Sequence, residues 1–164
     1  MKTTKKAVVS GLAMIGAAAL LAGCGAAPED NGSTAGAGGD VVDGFTPCLI
    51  SDEGGWNDKS FNQSAKEGMD RAAEELGVKS IEVESSSAND YAPNLDNLVA
   101  EGCTYIISVG FKLGADTVAS ATANPNLQYA IIDDRADIDE DGEPDAPNIK
   151  PLLFDTVQAA YLGG

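Results

Sequence analysis

The sequence predicts a parallel α/β sheet with helices on both faces, and three observations lead there. From Pro47 onward, short apolar runs alternate with helical patterns. The run Thr104 to Gly110 is almost continuously apolar, as a strand covered on both faces must be. Glycines stop the first two helical patterns, at Gly77 and Gly102.

The elements follow in order. Pro47 to Ser51 reads as a first strand, ended by the loop Asp52-Glu53-Gly54-Gly55-Trp56-Asn57-Asp58. Ser60 to Leu76 repeats Phe61, Ala65, Met69, Ala72, Ala73 and Leu76 at helical spacing, with Asp58 and Ser60 both placed to cap it. Ser80 to Ser85 alternates Ile81 and Val83 with acids, the pattern of a less buried strand. A second helix is expected from about Pro93 with Leu95, Leu98 and Val99 inward, then the central strand Thr104 to Gly110. A third helix covers Gly114 to Thr122, and Gln128 to Ile132 is a fourth strand ending in Asp133 and Asp134. Ile149 to Phe154 reads as a fifth strand, and Val157 opens a helix near the end of the chain, which suggests the N-terminal part of something longer.

Ahead of this body, Lys2, Lys5 and Lys6 precede the uncharged run Ala7 to Ala22 and then Gly23-Cys24. That is how a bacterial export signal reads, and it is short for a membrane span. Ending in Leu-Ala-Gly-Cys, it resembles a lipoprotein signal, with an ordinary secretory signal or an uncleaved anchor helix as the alternatives. The resemblance implies a cleaved peptide over 1–23, an acyl (palmitate-type) diacylglycerol on the Cys24 thiol, and a protein held on the extracytoplasmic face of the cell membrane. Residues 24–44 are Gly, Ala, Ser, Thr, Asn and Asp with little to bury, so they read as a flexible tether, and 45–164 as an α/β lobe.

The chain carries 26 acidic and 10 basic residues. Removing 1–23 takes three lysines and no acids, leaving 26 against 7, a formal charge of −19 on the mature form. Such a field repels nucleic acid and anionic lipid, which excludes both as partners and leaves anchoring to the acyl chains. With Cys24 lipidated, Cys48 and Cys103 are the remaining thiols of an exported protein. They form either a disulfide or two separately buried thiols. The chain has no histidine, and no cysteine cluster has zinc spacing.

Ligands of parallel α/β sheets bind at the carboxyl ends of the strands. Those ends offer Ser51 and Asp52, Ser85, Gly110 and Phe111, and Asp133 and Asp134, with Lys59 and Lys112 as the basic residues nearby. Acceptors beside flat apolar faces suit a neutral, hydroxylated, ring-bearing ligand better than a phosphate, and Gly54-Gly55 fits no phosphate-loop pattern.

Asn57-Asp58-Lys59-Ser60-Phe61-Asn62-Gln63-Ser64-Ala65 with Gly68 resembles the signature of the basic membrane protein family of lipoproteins, also called PnrA-like. Tyr91-Ala92-Pro93-Asn94-Leu95, Ile106 to Phe111 and Ala130-Ile131-Ile132-Asp133 fall in the order of that family's later blocks. The resemblance covers about Thr46 to Gly164. It implies one lobe of a type I periplasmic-binding-protein fold, in which two α/β lobes joined by crossing strands hold a purine nucleoside for an ABC importer permease. On the matching positions, Asp52 accepts hydrogen bonds from the purine or sits beside it, and Phe61 gives one face of a stacking sandwich. Asn62 offers its amide to the ligand or to the loop that holds it. Asp133 reads the base edge, with Asp134 the alternative, and Gly110 and Phe111 line the wall. The second aromatic and the ribose-holding residues belong to the other lobe. Each assignment has a plainer counterpart: Phe61 begins the apolar face of its helix, and Asp52 is placed to cap a turn.

The acidic insertion puts Asp137, Asp139, Asp141 and Asp145 at positions one, three, five and nine of a loop with Gly142 at six, the start of a calcium loop, although Asn148 stands at twelve. A structural calcium ion and a solvated acidic turn are both open, and no other cofactor is expected. Two alternatives to a nucleoside receptor remain. One is a surface receptor for a sugar or other small solute. The other is a small hydrolase using Asp133 and Asp134, weakened by the lack of histidine and of a Gly-x-Ser-x-Gly elbow.

Overall fold

The computed structural model describes residues 43–163, so the expected signal peptide, Cys24 and nearly all of the tether lie outside the described residues. Five strands form one sheet: β1 (Pro47–Ser51), β2 (Ile81–Val83), β3 (Tyr105–Val109), β4 (Gln128–Ile132) and β5 (Ile149–Leu152). The order is β2-β1-β3-β4-β5 with every pair parallel, so the nearly continuous apolar run is the middle strand. Four α-helices are interleaved: α1 (Phe61–Leu76), α2 (Tyr91–Ala100), α3 (Gly114–Ala123) and α4 (Thr156–Gly163).

Alternation along the strands divides the core between two faces. Cys48, Ile50, Ile106, Tyr129 and Ile131 pack against Tyr91, Leu95 and Leu98 of α2 and Ala121 of α3. Leu49 and Val109 point the other way, onto Met69 of α1, with Phe61 and Ala65 against them. Each such aliphatic side chain taken from water stabilises the fold by about 1.5–3 kcal/mol. Only α1 lies over the second face among the described residues, and an apolar groove of about 230 Å³ remains along Pro47, Met69, Ala72, Leu76 and Ile107. The α4 helix packs nothing large either: Val157, Tyr161 and Leu162 are 78%, 86% and 85% exposed.

Three strand and helix boundaries differ from expectation by two residues or more, the others by one at most. The second strand is Ile81–Val83 rather than 80–85, because Ser85 turns inward and its hydroxyl accepts from Asn94 Nδ2 at 3.1 Å. The second helix starts at Tyr91, two residues early, since a capping box of Ser87 and Asp90 nucleates a 3-10 turn that runs into it. Pro93 fits inside the first turn, where its missing N–H has no partner to lose. The fifth strand stops at Leu152, leaving Leu153 and Phe154 exposed beyond it.

Cys48 and Cys103 are joined in a disulfide, Cα to Cα 5.9 Å, linking β1 to the turn that enters β3. Both are almost completely buried in the larger core.

Candidate functional site

Because all five strands are parallel, their carboxyl ends share one edge, and the loops leaving that edge carry the polar residues. Asp52 follows β1 directly. Its Oδ1 accepts from the Gly54 backbone N–H at 2.9 Å and from Asn62 Nδ2 at 2.7 Å. Asn62, in the first turn of α1, is buried. Gly110 follows β3 with φ +101, and a side chain there would begin 3.0 Å from Asp52 Oδ2. The space expected to admit a ligand against Gly110 is therefore held by the Asp52 carboxylate. A substituent at Gly54 would likewise meet Asn62 Nδ2 at 2.9 Å and Asp52 Oδ1 at 3.0 Å.

The start of α1 is fixed by Asp58 alone of the two expected caps. Its Oδ1 accepts from the Ser60 and Gln63 backbone N–H groups at 2.8 and 3.0 Å, and its Oδ2 from Asn62 N–H at 3.1 Å, whereas the Ser60 side chain makes no cap bond. Burial opposes ionisation of Asp58, but the donors outweigh it and hold the carboxyl below its ordinary value. Lys59 takes a left-handed φ of 55° to bring Asp58 over the helix end.

Phe61 is half-buried against Leu49, Met69 and Val109, its ring 5.6 Å from that of Phe154. It serves the packing of the α1 face at the same position where a stacking role is expected. Phe111 is 61% exposed on the 3-10 turn after β3. Asp133 sits at the end of the neighbouring β4 with φ 66, a left-handed conformation uncommon outside glycine, and its N–H donates to Leu152 O at 2.9 Å. Asp134 turns away: its Oδ1 accepts from Ala136 N–H at 2.7 Å, and its carboxylate lies over Gly114, where a side chain would begin 2.9 Å from it. Of the expected residues, the structure thus joins Asp52, Asn62 and Gly110 by direct contact. Phe111 and Asp133 stand at the ends of adjacent strands, and Phe61 lies on the α1 face of the sheet.

One cluster escaped the sequence. Glu53 accepts from both Lys112 Nζ and Tyr91 Oη, tying the β1 loop to the β3 loop and to the start of α2. Those two hydrogen bonds, Lys112 first, lower the Glu53 pKa to about 2, while burial and Glu53 push the Tyr91 hydroxyl up. Lys112 is a basic residue beside the expected site, and its charge is taken by Glu53. Glu84 beyond β2 accepts from Trp56 N–H at 2.7 Å and pins the far side of the same loop. The available chemistry at this edge is acceptance of hydrogen bonds by Asp52 and Asp133 beside an exposed aromatic ring.

In the acidic insertion, oxygens of Asp137, Asp139 and Asp145 come within 4.8 Å of one another. Asp141 points elsewhere, accepting from Glu143 N–H at 2.9 Å. Asp137 is occupied by the Asp141 and Gly142 amides at 3.0 Å each. Exposed carboxylates satisfied in this way are common without an ion, and the convergence does not by itself define a cation site.

Fold and edge together define an α/β ligand-binding lobe of the type I periplasmic-binding-protein kind. The family described as ABC transporter substrate-binding protein, PnrA-like, matches residues 46–164, and the chain belongs to that family. An ABC transporter nucleoside-binding protein, BmpA, of Lactococcus lactis subsp. cremoris is 30% identical over 98% of this chain and 44% of its own length. A CD4+ T-cell-stimulating antigen of Listeria innocua is 31% identical over 98% of this chain and 44% of its own. The crystal structure of an ABC transporter solute-binding protein from Aeropyrum pernix superposes with a TM-score of 0.61 at 30% identity, over 73% of this chain and 31% of that one. The chain therefore spans less than half the length of these relatives.

Proposed function

We propose that this chain is the first lobe of a lipid-anchored, extracytoplasmic solute receptor that captures a purine nucleoside and passes it to an ABC permease, without bond chemistry. The observation that carries the reading is the family match, which runs unbroken across β1 to β5 and so includes each loop at the carboxyl edge. Supporting it are the acceptor groups of Asp52 and Asp133, and the exposed ring of Phe111 at the end of the strand between them. Lys112 is already paired with Glu53, so the edge suits a neutral ligand better than a phosphorylated one. Cys24 supplies the acyl anchor and the family's other lobe supplies the second wall of the cleft.

Thermal shift of the full-length protein against adenosine, guanosine, inosine, cytidine, ribose and common sugars tests this. A receptor gains stability as RT ln(1 + [L]/Kd), about 2.7 kcal/mol at a hundredfold excess over Kd. Stabilisation by purine nucleosides is expected. A response to a sugar alone would replace the ligand while keeping the receptor, and release of free base from a nucleoside would replace the receptor with an enzyme.

A further inference from the structure

Asn62 is 3% exposed, yet its Oδ1 has no hydrogen-bond partner, the one such buried side-chain atom among the described residues. An aliphatic residue would fill that volume without stranding an acceptor, so packing does not account for an asparagine here. What the amide does accomplish is on its other side. Nδ2 donates to Asp52 Oδ1 at 2.7 Å, and the Gly54 N–H donates to the same oxygen at 2.9 Å. With both donors on Oδ1, no hydrogen bond reaches Oδ2 among the described residues, and that oxygen lies against Gly110, 3.0 Å from where a side chain would start.

We propose that Asn62 is a positioning residue of the binding site: it holds Asp52 by one carboxylate oxygen so that the other, lodged over Gly110, is the acceptor presented to the ligand. Gly110 and Gly54 are the clearances this requires, one on each side of the carboxylate. Asn62 then touches Asp52 rather than the ligand, and the ligand contributes a donor, an N–H or O–H, at Oδ2. The inference rests on the receptor reading above for its ligand, and a purine nucleoside carries such donors on both base and ribose.

The test is a double-mutant cycle on the full-length protein, read by calorimetric titration with adenosine, guanosine and inosine. Asn62→Ala is expected to weaken binding about tenfold or more in the wild-type background and to have no further effect once Asp52→Ala is present. A residue that merely supports the fold would give the same loss in both backgrounds, and that additivity, or unchanged affinity in Asn62→Ala, overturns the proposal. Should Asn62→Ala fail to fold, Gly54→Ala decides. Gly54 is on an exposed turn without positive φ, and the added methyl crowds only the Asp52–Asn62 pair, so weakened binding supports the proposal and unchanged binding overturns it. If the wild type binds no nucleoside, the ligand reading fails by itself. Crystal structures of whichever variant folds then judge the positioning: Asp52 leaving its place over Gly110 supports it, and an unmoved carboxylate overturns it.

Discussion

Glu53 shows how a single side chain can tie together the loops at the carboxyl edge of the sheet. It accepts from Lys112 and Tyr91, which lie 59 and 38 residues away in the chain and arrive from different loops. No spacing rule links them, and that is why the cluster was not legible in the sequence. Asp58 and Ser60 were both visible as caps, and only the loop geometry, with Lys59 at φ 55, decides for Asp58. Gly110 was legible as part of the wall at the strand end, but what lies against it is a tertiary fact: the Asp52 carboxylate. A pH dependence follows from Glu53. Its pKa falls from an ordinary 4.5 to about 2, so the folded state holds the carboxylate more tightly than the unfolded chain does. Its contribution to stability is therefore complete above about pH 4.5 and is lost as the pH falls toward 2. Urea denaturation at intervals through that window should show Glu53→Gln less stable than wild type at neutral pH, with the difference closing on acidification. A constant difference would mean that the charge of Glu53 is not what ties the two loops.

At the level of elements, the sequence was informative wherever burial dictates pattern. The middle strand, the Gly77 stop of α1 and the inward Leu95 and Leu98 of α2 all stand where periodicity placed them. Gly77 takes a left-handed φ of 66°, and Val78 N–H returns to Ala73 O at 3.1 Å, a closure that favours glycine. The errors fall at ends, where local capping competes with pattern: the capping box at Ser87 and Asp90 pulled α2 forward past the signal of Pro93. The Cys48–Cys103 bridge was open between two alternatives because pairing depends on distance in space, here 5.9 Å between Cα atoms across 55 residues. Closing a loop of that length restricts the unfolded chain by about 4 kcal/mol in the chain-entropy description. The reduced protein, or the Cys48→Ser/Cys103→Ser variant, should lose stability of that order relative to the oxidised form, measured by chemical denaturation with and without reductant. A loss below about 1 kcal/mol would place the bridge outside the set of interactions that hold β1 beside β3.

Across the whole molecule, surface chemistry bears on the proposed anchor, because an acidic body does not adhere to an anionic membrane by charge. Residues 24–164 carry a formal charge of −19, and no helix among the described residues is long and apolar enough to cross a membrane. The apolar groove under α1 and the bare side chains of α4 are surfaces of the kind that protein cores cover, since a parallel sheet is ordinarily packed on both faces. Charge of this sign is repelled by anionic headgroups, so the proposed membrane association would rest on the acyl chains proposed for Cys24, and two or more chains are what stable anchoring takes. Two treatments distinguish this from electrostatic adhesion. Washing membranes with roughly 1 M salt, which shortens the Debye length to about 3 Å, should leave the protein bound, because no charge attraction is there to screen. Labelling with a radioactive fatty acid should be lost in Cys24→Ser, with the first 23 residues retained on the chain. Release of the wild type by salt, or labelling that survives the substitution, would show that something other than Cys24 holds this acidic lobe at the membrane.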